Sequence, residues 1–95
     1  MLRALDAFEL KDKGIILYCK DDSFENMSKS EVKDYLSRIN KIKISDKNLN
    51  VKEFNIKNYD VMNSLSNKIS VALLIDKTIN NDDISIPSDI TVINY

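Results

Sequence analysis

Residues 69–75, ISVALLI, constrain the fold of this chain more than any other stretch. The run is almost wholly apolar, and polar residues close it on its C-terminal side. Seven residues is strand length rather than helix length, so the run predicts a buried central β-strand. Its alternate residues from Ile69 to Ile75 would face one way. The smaller opposite face, which could lie under another element, holds Ser70, Ala72 and Leu74.

The length and charge of the chain predict one small domain over residues 1–95. The net charge of −1 gives no strong attraction to nucleic acid or to a membrane, although residues 29–57 form a mildly basic middle. The single cysteine, Cys19, excludes an internal disulfide and fits a reducing compartment. No secretory signal is recognisable, and no run approaches the roughly 20 apolar residues of a membrane helix. We therefore expect a cytoplasmic protein with no membrane partner.

A hairpin and a helix are the clearest local elements. Residues 6–10 and 15–19 predict two strands, and Gly14 ends the turn between them at a position that favours a positive φ. Ser28 and Glu31 have the spacing of a capping box. Apolar residues then follow at helical spacing, which predicts one α-helix over about residues 28–40.

The remaining segments read as short strands and turns. Residues 42–44 alternate like a strand, and a change of phase within residues 49–56 predicts a β-bulge near residues 52–53. Residues 59–67 fit either one helical turn or an irregular loop. Residues 80–83 predict a turn, with a last alternating strand at residues 90–95. These patterns leave open a small β-barrel with an inserted helix and an α+β sandwich, and the turn-separated short strands favour the barrel.

Several blocks resemble the second domain of elongation factor Tu and its translational GTPase relatives. Residues 6–16 resemble the opening hairpin of that domain, and residues 51–54, VKEF, resemble its Val-Glu-Met-Phe strand. Residues 71–75 and 79–84 resemble its apolar strand and the Lys-Glu-Asp-Ile turn that follows. The resemblance implies a mainly all-β fold, namely a small closed antiparallel β-barrel of about six strands with one inserted α-helix.

The resemblance also implies candidate binding residues. In the elongation factors this barrel helps to hold the aminoacylated end of tRNA and touches the ribosome. The acidic and aromatic residues of the family's first strand correspond to Asp6 and Phe8, its turn arginine to Lys13, and its strand glutamate to Glu53. Other pocket residues of the family are replaced here, which argues against retained aminoacyl-tRNA binding. The general tendency of phenylalanine to be buried would place Phe8 in the core. The tendency of carboxylates to be exposed would leave Asp6 and Glu53 solvated.

A basic stripe along one rim of the sheet could bind RNA, and its members would be Lys41, Lys43, Lys47 and Lys52. Tyr35 and Tyr59 could add stacking surfaces for bases. The alternative is that these lysines are simply solvated. The overall charge favours that alternative, because phosphate contacts normally dominate RNA binding.

Enzymatic chemistry finds little support in the residues. The chain has no histidine, so Ser-His and Cys-His dyads and the commonest metal sites cannot form. One glycine cannot build a phosphate-binding loop. Cys19 follows an apolar run and reads as a small buried residue, and residues 21–25 lack the glycine and spacing of a calcium loop. We expect no enzyme activity, no cofactor and no metal.

The expected function is that of a non-catalytic, stand-alone barrel that binds a protein or structured RNA. The resemblance makes translation the context, with the ribosome or tRNA as possible partners. The alternative is an accessory or inhibitor protein, of the immunity type, from a mobile element or toxin system. Such a protein would act by protein–protein contact, and residues 21–40 would be its distinguishing surface.

Overall fold

A computed structural model describes residues 2–63, 68–77 and 83–94 of the chain. Within these residues every strand pair is antiparallel. The strands are β1 (Arg3–Leu10), β2 (Gly14–Lys20), β3 (Ile39–Ser45), β4 (Val51–Asn63), β5 (Ile69–Ile75), β6 (Ser88–Asp89) and β7 (Thr91–Asn94). Between β2 and β3 lie a 3-10 helix (Asp22–Asn26) and an α-helix, α1 (Lys29–Ser37). The ambiguous stretch predicted at 59–67 is strand as far as residue 63, and its remainder lies outside the described residues, as does most of the turn predicted at 80–83.

The described strands form one sheet, in the order β6-β1-β2-β5-β4-β3-β7, that is nearly closed into a barrel. Only Ile90 separates β6 from β7. One short segment of the chain therefore pairs with β1 through β6 and with β3 through β7. The N–H of Ile90 itself donates to the carbonyl oxygen of Leu2 at 2.8 Å. The predicted all-β barrel with one inserted α-helix is therefore confirmed, and the α+β sandwich is wrong.

The apolar run at residues 69–75 is the central strand β5, between β2 and β4, as predicted. Leu73 lies opposite Leu17 of β2 on one side and Tyr59 of β4 on the other. Leu17 and Leu73 are fully buried, and each such side chain contributes about 1.5–3 kcal/mol through its removal from water. The other face of β5 is on the outside of the barrel, where Ala72 and Leu74 remain half-buried.

The connection from β2 to β3 packs on the barrel through its apolar residues. Phe24, Val32 and Leu36 are buried in the same core cluster as the strands. The capping box at the start of α1 is confirmed, since Ser28 and Glu31 exchange two hydrogen bonds of 3.1 Å. The helix ends before residue 40 because Ile39 already pairs in β3 and is buried there.

Two register shifts determine which side chains of β1 and β4 face the core. On β1 the pairing with β2 shifts between Ala4 and Asp6, and on β4 the pairing with β5 shifts between Ile56 and Asn58. The bulge predicted near residues 52–53 is therefore wrong, because β3 and β4 pair without interruption there. The prediction failed because it took two exposed residues of the β3–β4 hairpin for part of the buried face.

The turn between β1 and β2 depends on Gly14, which has the predicted positive φ, at 141°. A Cβ at this position would overlap the carbonyl oxygen of Ile75 on the neighbouring strand. Asp12 occupies the left-handed region with φ of 63° in the same turn. Gly14 is thus required both by its own backbone and by the close approach of β5.

We expect Gly14→Ala to lower the free energy of unfolding by about 2–4 kcal/mol, because it combines a strained φ with a backbone clash. Urea unfolding followed by far-UV circular dichroism measures the change. Asp12→Gly in the same turn is the matched control, and its effect should stay within about 1 kcal/mol because glycine tolerates a positive φ. A similarly small effect for Gly14→Ala would contradict this account.

Candidate functional site

The outer surface of β1, β2 and β5 carries apolar side chains where a solvated sheet face would be polar. Phe8, Ile16 and Leu74 lie directly opposite one another on these three strands. Phe8 is 53% exposed and Leu10 is 38% exposed. Ile16 and Leu74 are half-buried. These four residues and Ala72 are called the apolar face below.

A groove of about 260 Å³ lies on this surface. Most of its lining comes from the apolar face, and β4 supplies the remainder. The lining residues are Leu10, Ile16, Ala72 and Leu74, with Asn58, Tyr59 and Asp60. Apolar side chains that remain open to water beside a groove are typical of a contact site.

Two carboxylates, Asp6 and Asp60, lie at the ends of the adjacent row of residues. This row runs from Asp6 on β1 through Tyr18 and Ala72 to Asp60 on β4. In each aspartate, Oδ1 accepts the backbone N–H of the next residue at 2.9 Å. Neither aspartate forms a salt bridge with another described residue. Their other oxygens can therefore accept hydrogen bonds from a ligand.

The prediction that Phe8 packs in the core, which follows from the usual burial of phenylalanine, is wrong. Strand alternation would place Phe8 on the same face as Ala4, which is fully buried. The register shift after Ala4 adds one residue to β1, so that Ala7 opposes buried Leu17 and Phe8 opposes Ile16 on the outer side. The structure thus brings Phe8 and Asp6 together on the outer surface.

Lys13 lies apart from these residues, in the turn at one end of the barrel. It lines a cleft of about 420 Å³ with other residues of mixed charge. The Lys57 Nζ donates to the carbonyl oxygen of Lys13 at 2.5 Å, and Lys77 pairs with Glu9. Because the lysines of this cleft already have partners or acidic neighbours, the cleft offers no concentrated positive charge.

Lys41, Lys43 and Glu53 lie together on the outer side of β3 and β4. Glu53 lies directly opposite Lys43, and its Oε1 is 3.3 Å from the Nζ of Lys41. All three side chains remain accessible to water, and an ion pair of this kind contributes less than about 1 kcal/mol. Its main consequence is to offset part of the positive charge of the two lysines.

The remaining lysines of the predicted basic stripe do not lie on the same surface as Lys41 and Lys43. Lys52 lies opposite Ile44, whose side chain is buried, so Lys52 belongs to the other face of the hairpin. Lys47 is in the following loop, where its N–H donates to the carbonyl oxygen of Asp83. Tyr35 packs edge-on against a buried phenylalanine, and Tyr59 packs against the core. These residues form no single basic surface with flanking aromatic rings.

The other chemically active side chains serve the fold. Cys19 is buried, which raises its pKa to about 12. Partial burial acts to raise the pKa of Asp21, but the pKa is lowered overall, and hydrogen bonds from the N–H and hydroxyl of Ser23 are among the interactions that lower it, as Asp21 caps the 3-10 helix. In the parts of the chain that are described, no three His, Cys, Asp or Glu residues are grouped to hold a metal ion.

Sequence reasoning identified Asp6 and Phe8 but missed the rest of this surface. The missing residues are Leu10, Ile16, Leu74 and Asp60. A signal was present in β2 and β5, which are apolar on both faces, whereas a strand with one solvated face alternates with polar residues. That signal was interpreted only as burial under another element.

Comparisons with protein-family models, with curated proteins and with solved structures find no match to this chain. Among the described residues, no helix has the length and apolar character needed to cross a membrane.

Cys19 should be nearly inert towards thiol reagents in the folded protein, because the thiolate is the reactive form and burial disfavours it. At pH 8 we expect reaction with an aromatic disulfide reagent to be at least about 100-fold slower than in the urea-unfolded chain. Stopped-flow absorbance measures both rates. Comparable rates in the two states would show that the thiol is accessible.

Proposed function

We propose that this chain is a non-catalytic binding module that contacts a partner protein through the apolar face. The observation that carries the proposal is the exposure of Phe8 and Leu10 beside a groove with apolar walls. Aromatic residues are enriched in the energetically dominant centres of protein interfaces. Apolar area left in water forgoes about 25 cal/mol per Å², which a docked partner would recover.

A protein partner is favoured over RNA by the distribution of charge. RNA binding draws most of its affinity from phosphate contacts with uncompensated lysine or arginine. Here Glu53 accompanies Lys41 and Lys43. The carboxylates of Asp6 and Asp60 lie next to the apolar face and would repel phosphate.

Two contexts remain for such a module. The resemblance to the second domain of elongation factor Tu supports a binding role for the barrel and makes translation the first context in which to seek the partner. An accessory or inhibitor protein of a mobile element or toxin system would rely on the same kind of contact. Phe24, Val32 and Leu36 of its expected surface, residues 21–40, are buried against the barrel, which supports the sheet face as the contact in either context.

The test is a comparison of two double variants in affinity purification from the native host with quantitative mass spectrometry. Phe8→Ser with Leu10→Ser should reduce recovery of one specific protein by about tenfold or more, because hot-spot side chains are removed. Leu49→Ser with Val51→Ser is the matched control: it removes two apolar residues that are even more exposed, at 81% and 64%, from a different hairpin.

Circular dichroism and thermal unfolding confirm that both variants are folded. Direct titration of the recovered protein then measures the dissociation constants of wild type and both variants. Equal binding by the two double variants, or loss of binding only in the control, would refute the apolar face as the contact.

We expect weak or undetectable binding to bulk tRNA at physiological ionic strength, and no change in that binding on Lys41→Glu with Lys43→Glu. The reason is that Glu53 offsets part of their charge, and Lys47 and Lys52 do not extend them into one basic surface. Fluorescence anisotropy with labelled tRNA over a range of salt concentrations measures this. Tight, salt-sensitive binding that the double variant abolishes would instead establish RNA as a partner.

A further inference from the structure

The border of the apolar face indicates what kind of protein segment fits it. We infer that the partner docks through a cationic amphipathic segment. An apolar side chain of this segment would occupy the groove, and its neighbouring lysine or arginine residues would pair with Asp6 and Asp60. This inference rests on the proposed function, since it names the chemistry of the partner at the same surface. It follows from three observations, which concern charge, hydrogen bonding and size.

The charge of the groove is negative. Asp60 is the one charged residue in the lining of the groove among the described residues, and Asp6 ends the same transverse row on β1. Both are exposed to water. The backbone positions of the two residues lie three strand spacings apart along the sheet, roughly 14 Å at the usual spacing. Apolar and neutral side chains fill the space between them.

The two carboxylates have unused hydrogen-bonding capacity. One oxygen of each accepts the N–H of the following residue, at 2.9 Å. Lys20, the lysine of β2, has its Nζ 5.9 Å from the ring centroid of Tyr18 and no ion pair with either aspartate. Lys57 points to the Lys13 carbonyl at the end of the barrel. A lysine or arginine from outside can therefore bond to each aspartate.

The size of the groove favours a side chain over a small-molecule ligand. Its volume of about 260 Å³ is below the roughly 300–1,000 Å³ typical of sites for drug-sized molecules. A groove of this kind suits one or two apolar side chains of a peptide segment, while the exposed Phe8 ring extends the contact beyond the groove. The flanking carboxylates would then orient the segment.

The test uses random phage-displayed peptides of about 16 residues, roughly four helical turns, selected on the folded wild-type protein. Enriched peptides are synthesised and their dissociation constants are measured by fluorescence anisotropy. The first variant is Asp6→Asn with Asp60→Asn, which keeps the oxygen that accepts the local N–H. The matched control is Asp22→Asn with Glu25→Gln, which removes the same charge from the exposed side of the 3-10 helix.

We expect enriched peptides with at least two lysine or arginine residues beside an aromatic or aliphatic one. The Asp6→Asn, Asp60→Asn variant should weaken their binding by about five- to tenfold, and raised salt should weaken wild-type binding similarly. The control variant should bind like wild type.

The outcomes separate the two proposals. Peptides that lose binding in Phe8→Ser with Leu10→Ser, but are neutral or acidic and insensitive to Asp6→Asn with Asp60→Asn, overturn the cationic segment and leave the apolar face as the contact. Failure to enrich any peptide, or enrichment of peptides indifferent to both double variants, overturns the two together. Cationic peptides sensitive to both variants support both.

Discussion

Each strand of a small barrel must keep one set of alternate side chains inside, because a slip of one residue turns its whole apolar set outward. On β1 and β4 the chain meets the requirement with one extra residue each, Leu5 and Lys57, at the points where their pairing with β2 and β5 shifts. The shift on β4 lets a strand of 13 residues pair first with β3 and then with β5 while keeping Phe54 and Val61 inside. The shift on β1 leaves Ala4 buried and Ala7 half-buried but turns Phe8 outward. The exposed phenylalanine is therefore a consequence of how the barrel keeps its phase.

The sequence predicts those elements whose determinants are local. The apolar run of β5, the turn glycine Gly14 and the capping box at Ser28 each fix a structure through residues close in the chain, and each is found where expected. The barrel itself follows from strand length and spacing. Its closure does not, because β6 has two residues and no pattern of its own, and it is held by pairing with Arg3 and Ala4 from the other end of the chain.

The candidate surface was harder to predict because it depends on register. Alternation alone shows that Phe8 and Leu10 share a face, but the side on which they lie is decided by the shift at Leu5, which no residue type marks in advance. Similarly, the predicted basic stripe placed Lys43 and Lys52 on one rim of the sheet. In the sheet the position opposite Lys43 is taken by Glu53, so cross-strand pairing replaces a run of positive charge with a mixed pair.

The hydrogen bonds of the outward polar residues favour the face of the sheet, rather than a strand edge, as the contact surface that we propose. Asp6, Asn58 and Asp60 each accept the N–H of the following residue at 2.9 Å. In an antiparallel ladder alternate N–H groups point away from the paired strand, where they could recruit a further strand. Here side chains satisfy these donors locally, which disfavours recognition by strand addition. Under the proposed function, a partner would then be recognised through side-chain contacts. The same aspartates that satisfy the backbone place negative charge beside the apolar face.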